Sequence, residues 1–392
     1  MFRIIFYLFL IIFCSIKISY SVIPNYELKA KTSFVVHFET NKILFQKQPD
    51  QRISPASITK LMTIYLIFDS LKKGLISPET LAIVSDNAYQ KGNYRTGGST
   101  MFLRKGEHVS VEELIEGIIV VSGNDASIVM SELIVGTEEE FLLEMNKKAK
   151  ELGLLDTKFQ NVDGVYNKNH YSTAKDLYIL TNRIIQDFPE YYHYFSMLEF
   201  THNGITQKNR NPLLTLSFAN NVIVDGLKTG HVEDSKFSLA FSSIKDKNFR
   251  VTGIVMGTNS DTERKIETRK LIDWVYRTYE RRVIYNKGDI IKKVVIYNGK
   301  QSILNITANK DIVVLVPKLM KNSDIKQTLS YKNYYMAPIS RGDKIATLDI
   351  IAKDSDYNIS YDLYLEEDIK PSFILSKYLL APYYAIKKAL GN

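Results

Sequence analysis

Ser57 and Lys60 stand three residues apart, which puts a hydroxyl and an amine on one face of any helix that begins there. A serine is a weak nucleophile until a neighbouring base takes its proton, and an adjacent neutral lysine can do so. The S-x-x-K pattern alone is common, since Ser70 and Lys73, Ser172 and Lys175, Ser242 and Lys245, and Ser323 and Lys326 share it. Only the first pair follows Pro55-Ala56 and opens an apolar stretch. Two more motifs come after it in order. Ser122-Gly123-Asn124 offers a second hydroxyl and an amide, and Ser85-Asp86-Asn87 has the same S-x-N form. Lys228-Thr229-Gly230 offers a cation, a hydroxyl and a position without a side chain, with Arg95-Thr96-Gly97 as a near match. Each motif has an ordinary structural explanation: Ser57 as a helix cap with a solvated Lys60, Ser122 and Asn124 as cap and turn residues. The ordered trio, each member in a fitting setting, is what chance does not readily supply.

The elements around these motifs can be read from periodicity. Phe34–Phe38 and Lys42–Phe45 are two short strands about the turn Glu39-Thr40-Asn41. After Pro55 the residues Ile58, Leu61, Met62, Ile64, Tyr65, Leu66, Ile67 and Phe68 leave no polar face, which predicts a buried central helix. Apolar positions three and four apart predict helices over 111–121, 126–135, 138–152 and 173–188, so Ser122-Gly123-Asn124 lies between two of them. Strands return from Val222, placing Lys228-Thr229-Gly230 in a strand, and continue over 237–241 and 249–255. A long helix capped by Ser260 or Asp261 follows, with Ile266, Leu271, Ile272, Val275, Tyr276 and Tyr279 on one side. Beyond Arg281 short alternating runs separated by turn residues predict a small all-β domain over 281–368.

Composition limits the rest. The chain has 392 residues, enough for two folded units, and 45% of them are hydrophobic. The formal charge of +8 is spread along the sequence without an arginine-rich block interleaved with aromatics, so the surface tolerates anionic lipid or wall polymers and nucleic acid is not expected as a partner. Arg3, the apolar run Ile4–Phe13 and the small residues Ser19 and Ser21 form a signal-peptide layout over 1–21. Its removal takes away Cys14, the single cysteine, and with it any disulfide or thiolate chemistry. The six histidines form no helical two-histidine pair, so neither a metal nor a cofactor is expected.

With these motifs in place the sequence resembles the low-molecular-mass penicillin-binding proteins, the D-alanyl-D-alanine carboxypeptidases of serine peptidase family S11. Pro55–Lys60, Ser122–Ala126, Asn209-Arg210-Asn211 and Asp225–His231 carry the resemblance, which spans roughly residues 28–280. It implies a penicillin-binding-protein-like α/β fold shared with serine β-lactamases: an antiparallel sheet with helices on both faces plus a helical region, over 22–280. It further implies that Ser57 attacks the carbonyl of the penultimate D-alanine of a peptidoglycan stem peptide, that Lys60 takes its proton, and that Ser122 passes a proton to the leaving amine. Asn124 would hold the substrate amide, Lys228 and Thr229 the terminal carboxylate with Arg210 in support, and Gly230 would leave room for substrate. The plainer alternative for Arg210 is a surface salt bridge. The backbone N–H groups of Ser57 and His231 would form the oxyanion hole. Lys60 must be neutral for this, which burial, a helix N-terminus and the like charge of Lys228 all favour. β-Lactams are the implied inhibitors.

Between Thr157 and Pro189 there is no deacylating glutamate, only Asp163 in Val162–Asn167, and Asp163 reads as a loop residue bonding its own backbone in preference to a helper of water. A β-lactamase is therefore the runner-up, with a D,D-endopeptidase and a non-catalytic wall-binding protein of the same fold as further alternatives. Residues 369–392 mix Phe373, Leu379, Tyr383, Tyr384 and Ile386 with Lys370, Lys377, Lys387 and Lys388, the pattern of an amphipathic helix lying on an anionic membrane surface. The expected site of action is the outer face of the cytoplasmic membrane, in the periplasm.

Overall fold

The computed structural model describes residues 26–92, 98–353 and 358–372. The expected signal segment, Arg95-Thr96-Gly97 and all but the first four residues of the expected terminal helix lie outside the described residues.

The chain opens with β1 (Thr32–His37) and β2 (Ile43–Lys47), then a 3-10 turn at Ala56–Thr59 that runs into α1 (Lys60–Lys72). Next come β3 (Leu81–Ile83), α2 (Asp86–Gly92), β4 (His108–Ser110), α3 (Val111–Val120), α4 (Asn124–Val135), α5 (Glu138–Glu151) and α6 (Ala174–Asp187). A hairpin, β5 (Glu199–His202) with β6 (Ile205–Lys208), precedes the long strands β7 (Val222–Val232), β8 (Lys236–Lys245) and β9 (Phe249–Thr258), and α7 (Asp261–Thr278) closes the unit. Five strands form one antiparallel sheet in the order β2-β1-β9-β8-β7.

Both faces of that sheet are covered, which explains why its strands read as continuous apolar runs. In β1, Phe34 and Val36 pack with α1 and the helices around it, whereas Val35 joins the core under α7 with Leu271, Ile272 and Val275. In β9, Ile254 and Met256 face the first core and Val251 and Val255 the second. α1 is buried on every side, as its lack of a polar face predicts. Helix starts are fixed by hydroxyl caps: Ser110 and Glu113 form a capping box on α3, and Thr137, Thr173 and Ser260 cap α5, α6 and α7.

The C-terminal all-β domain consists of β10 (Tyr279–Tyr285), β11 (Ile290–Tyr297), β12 (Ile303–Thr307), β13 (Ile312–Pro317), β14 (Ile325–Tyr331), β15 (Tyr334–Met336), β16 (Lys344–Ala352) and β17 (Asn358–Tyr364). They pair as β10-β13, β12-β11-β15 and β14-β16-β17 around a core of their own. No linker separates this domain from the first. Tyr279 is both the C-cap of α7 and the first residue of β10. Leu315 of β13 is fully buried in the core under α7 beside Trp274 and Tyr279, and Arg281 meets Glu39 through two hydrogen bonds of 2.8 and 3.2 Å.

Two details depart from the periodicity. Ile266, expected on the apolar side of α7, is exposed, and Tyr279 belongs to a strand. The short elements β3, α2, β4, β5 and β6 carry too few periodic residues to be read from sequence. Among the described residues, no helix is long and apolar enough to cross a membrane.

Candidate active site

Ser57 stands in the 3-10 turn ahead of α1, half-buried, so it is not the N-cap of that helix; Thr59 is. The turn is gripped between two glycines. Gly164 has φ +84°, and a Cβ there would overlap the carbonyl of Ala56. A Cβ on Gly230 would sit 2.8 Å from the Pro55 carbonyl oxygen and 3.2 Å from Ala56 Cβ. The space left by the missing Gly230 side chain is thus taken by the nucleophile's own turn; Gly230 also lines the cavity beside it. The Gly164 loop is fastened to α1 in turn, because Thr63 Oγ1 donates to Val162 O at 2.6 Å.

Lys60 is the first residue of α1 and is fully buried. Its Nζ donates to Asn124 Oδ1 at 2.7 Å and to the carbonyl oxygen of Asp163, and lies 3.3 Å from Ser57 Oγ. A neutral amine has two N–H bonds and one lone pair. Two carbonyl-type acceptors take the N–H bonds, which leaves the third direction for the hydroxyl of Ser57. Burial lowers the Lys60 pKa to about 8, against the opposing pull of Asp163 and Asp125. Lys228 is buried too and is held well below the usual ammonium range, first by burial and then by the charges of Lys60, Arg264 and Arg210. Burial is therefore the leading cause on both lysines, ahead of the like-charge effect that the sequence brings to mind.

Ser122 lies between α3 and α4 with φ +64°, a left-handed backbone for a residue with a side chain, and its buried Oγ has no protein partner among the described residues. Asn124 begins α4, and its backbone N–H donates to Ser99 O at 2.8 Å, which ties α4 to the 98–103 loop. Asp125 secures that loop further. Its carboxylate accepts from Thr100 Oγ1 at 2.6 Å and from the backbone N–H groups of Met101 and Leu103 at 3.0 and 3.1 Å.

Ser57, Ser122, Asn124, Arg210, Thr229, Gly230 and His231 line one cavity of about 490 Å³, and Lys60 and Lys228 are buried beside it. Arg210 is exposed at the cavity, and no ion pair forms on it among the described residues. The His231 side chain stacks on Phe237 with ring centroids 4.0 Å apart. Asp163 Oδ1 accepts from Val165 N at 3.1 Å, the local bond expected of a loop aspartate, while its carbonyl serves Lys60. Sequence reasoning missed Arg264. This buried residue of α7 lines the cavity, reaches the carbonyls of Gly230 and Ser238 at 3.4 and 3.3 Å, and pairs with Asp261. An arginine on the sheet-facing side of a predicted helix was the available signal.

Residues 19–260 match the family model described as D-alanyl-D-alanine carboxypeptidase. The chain belongs to that family. Residues 279–371 match the model of the penicillin-binding protein 5 C-terminal domain. The D-alanyl-D-alanine carboxypeptidase DacF of Bacillus subtilis is 34% identical, over 87% of this chain and 86% of its own. DacD of Escherichia coli is 34% identical over 84% of each chain. Among solved structures, penicillin binding protein 5 from Haemophilus influenzae superposes with a TM-score of 0.78 at 32% identity, covering 89% of this chain and 99% of that one. Penicillin binding protein 6B from Escherichia coli gives 0.70 at 31%, covering 87% and 96%. This chain is thus a serine-type D-Ala-D-Ala carboxypeptidase, with the fold that its motifs led one to expect and the all-β second domain that its alternating runs did.

Proposed function

We propose that Ser57 is the acylated nucleophile of this carboxypeptidase and Lys60 the base that activates it. The observation that carries the reading is the setting of the Lys60 amine, buried, held by two acceptors and turned with its third position toward Ser57 Oγ. Ser57 Oγ attacks the carbonyl carbon of the penultimate D-alanine while its proton goes to Lys60. The oxyanion gathers at the backbone N–H groups of Ser57 and His231. Ser122 relays a proton to the departing amine nitrogen, the C–N bond breaks, and D-alanine leaves; water then releases the shortened stem peptide from Ser57.

Lys228, Thr229 and Arg210 receive the terminal carboxylate, and Asn124 the substrate amide. Burial, and repulsion by Lys60, Arg264 and Arg210, disfavour the protonated form of Lys228. An arriving carboxylate offsets that repulsion and stabilises the protonated form of Lys228, so substrate itself completes the charge state needed to bind it. The chain is exported by residues 1–21, and residues 369–392 hold the domains 22–280 and 281–368 at the outer face of the cytoplasmic membrane, a reading supported by their amphipathic and basic composition.

The test is mass spectrometry of the protein with penicillin and, separately, with a D-Ala-D-Ala peptide. A long-lived penicilloyl adduct maps to Ser57, and Ser57→Ala removes both the adduct and D-alanine release. An adduct that persists in Ser57→Ala would place the nucleophile elsewhere.

A further inference from the structure

The β12-β11-β15 sheet carries an apolar face that its own core does not use. Side chains alternate along its strands. Val294, Ile296, Leu304, Ile306 and Tyr335 point into the domain. Val295, Ile303, Tyr334 and Met336 point out, 46%, 52%, 43% and 55% exposed. The register gathers them into one patch, since Val295 is paired with Ile303 on one side and with Tyr334 on the other, and Tyr297 is paired with Met336. The Tyr297 and Tyr334 rings meet at 5.3 Å. A solvated sheet face normally presents polar side chains here, so a contiguous apolar patch marks a contact surface.

Two observations identify the partner. The three strands with the turn between β11 and β12 and the residues flanking β15, 290–307 and 332–338, hold four lysines, Lys292, Lys293, Lys300 and Lys332, and no aspartate or glutamate. The partner is therefore anionic as well as apolar. Moreover, the last described residues run beside this sheet: Ser372 N donates to Asn298 O at 2.8 Å, Lys300 N to Lys370 O at 3.0 Å, and Gly299 bridges Pro371. Ser372, the last described residue, is thereby tied to Asn298, beside Tyr297 at the edge of the patch.

We propose that this face of the all-β domain docks on an anionic lipid surface, with Val295, Ile303, Tyr334 and Met336 at the headgroup boundary and Lys293, Lys300 and Lys332 facing the phosphates. The inference rests on the membrane reading of residues 369–392 and adds a second, folded contact to it. Two contacts on one chain hold a surface far better than either alone, and they set the orientation of the molecule as well as its affinity.

The test uses the chain without residues 1–21, with an environment-sensitive NBD label on Met336→Cys, mixed with vesicles of phosphatidylglycerol and phosphatidylcholine or of phosphatidylcholine alone. Penicillin labelling of each variant checks its fold. The label should shift to the blue with the anionic vesicles only. In the unlabelled protein, Val295→Asn, Ile303→Asn and Met336→Gln combined should weaken flotation with those vesicles roughly tenfold, and Lys293→Gln with Lys300→Gln roughly fivefold or more. If the protein floats but the label stays unmoved, the tail reading stands and this inference falls. A label already blue without vesicles means that the tail or a second copy covers the face, which also overturns it. Failure to float at all removes both readings.

Discussion

On the proposed role of Lys60 as base, its titration sets the pH dependence of acylation. With a pKa of about 8 the amine is mostly protonated at neutral pH, and only about a tenth of the molecules hold the free base. Raising the pH removes that proton, so acylation by a slow β-lactam should rise roughly tenfold from pH 7 to pH 9 and flatten above that. Stopped-flow labelling across this range measures it; a flat profile would leave Lys60 without a basic role. Lys60→Arg should lower acylation about 100-fold or more, because guanidinium does not become a base, whereas Lys228→Arg keeps the cation that a carboxylate needs. Equal, mild losses at the two positions would contradict the division of labour. Residue identity made this part of the site legible: Ser57, Lys60, Ser122, Asn124 and Lys228, which the fold gathers at one cavity, are of types suited to the proposed chemistry, in an order that survives any spacing. Arg264 and Asp125 were not legible as site residues, since their roles depend on partners brought close only by the fold.

At the scale of elements the decisive pieces are backbone. Gly164→Ala would put a methyl group into the Ala56 carbonyl at a φ of +84°, so the loop or the nucleophile's turn must move. We expect a stability loss of about 3 kcal/mol or more in urea unfolding and slower acylation of the folded fraction. Unchanged acylation would mean that the turn does not need its glycine grip. The helices α1 and α3 to α7 and the strands β1, β2 and β7 to β9 were readable because their apolar periods are long. β5, β6 and the Gly164 loop were not, because their geometry comes from contacts such as Gln207 with Thr100 O and Thr63 with Val162 O. Acid should act at this scale as well. Burial holds His170 near a pKa of about 4, beside Thr59 at 2.9 Å. The unfolded chain binds that proton at higher pH, so stability should fall as pH drops from about 6.5 toward 4, and His170→Asn should flatten the slope in urea midpoints.

For the molecule as a whole, the question is how the two domains are joined. Leu315→Ala should cost about 2–4 kcal/mol and destabilise the catalytic domain, although the residue belongs to the other one, because its side chain completes the core under α7. Selective loss of the β domain alone, seen by limited proteolysis, would show that the shared core is not a real coupling. Sequence texture pointed to an all-β second domain after the long helix, yet the coupling itself was invisible, since nothing about Leu315 distinguishes it from its neighbours in β13. A helix that becomes a strand at a single tyrosine has a mechanical meaning. It leaves no linker between the domains, so on the membrane reading proposed above the second domain would act as a measuring rod, carrying the catalytic cleft at one fixed height over the lipid surface. On that reading, stem peptides at that height in the wall would be trimmed, and those nearer or farther would be out of reach however well they fit the cleft.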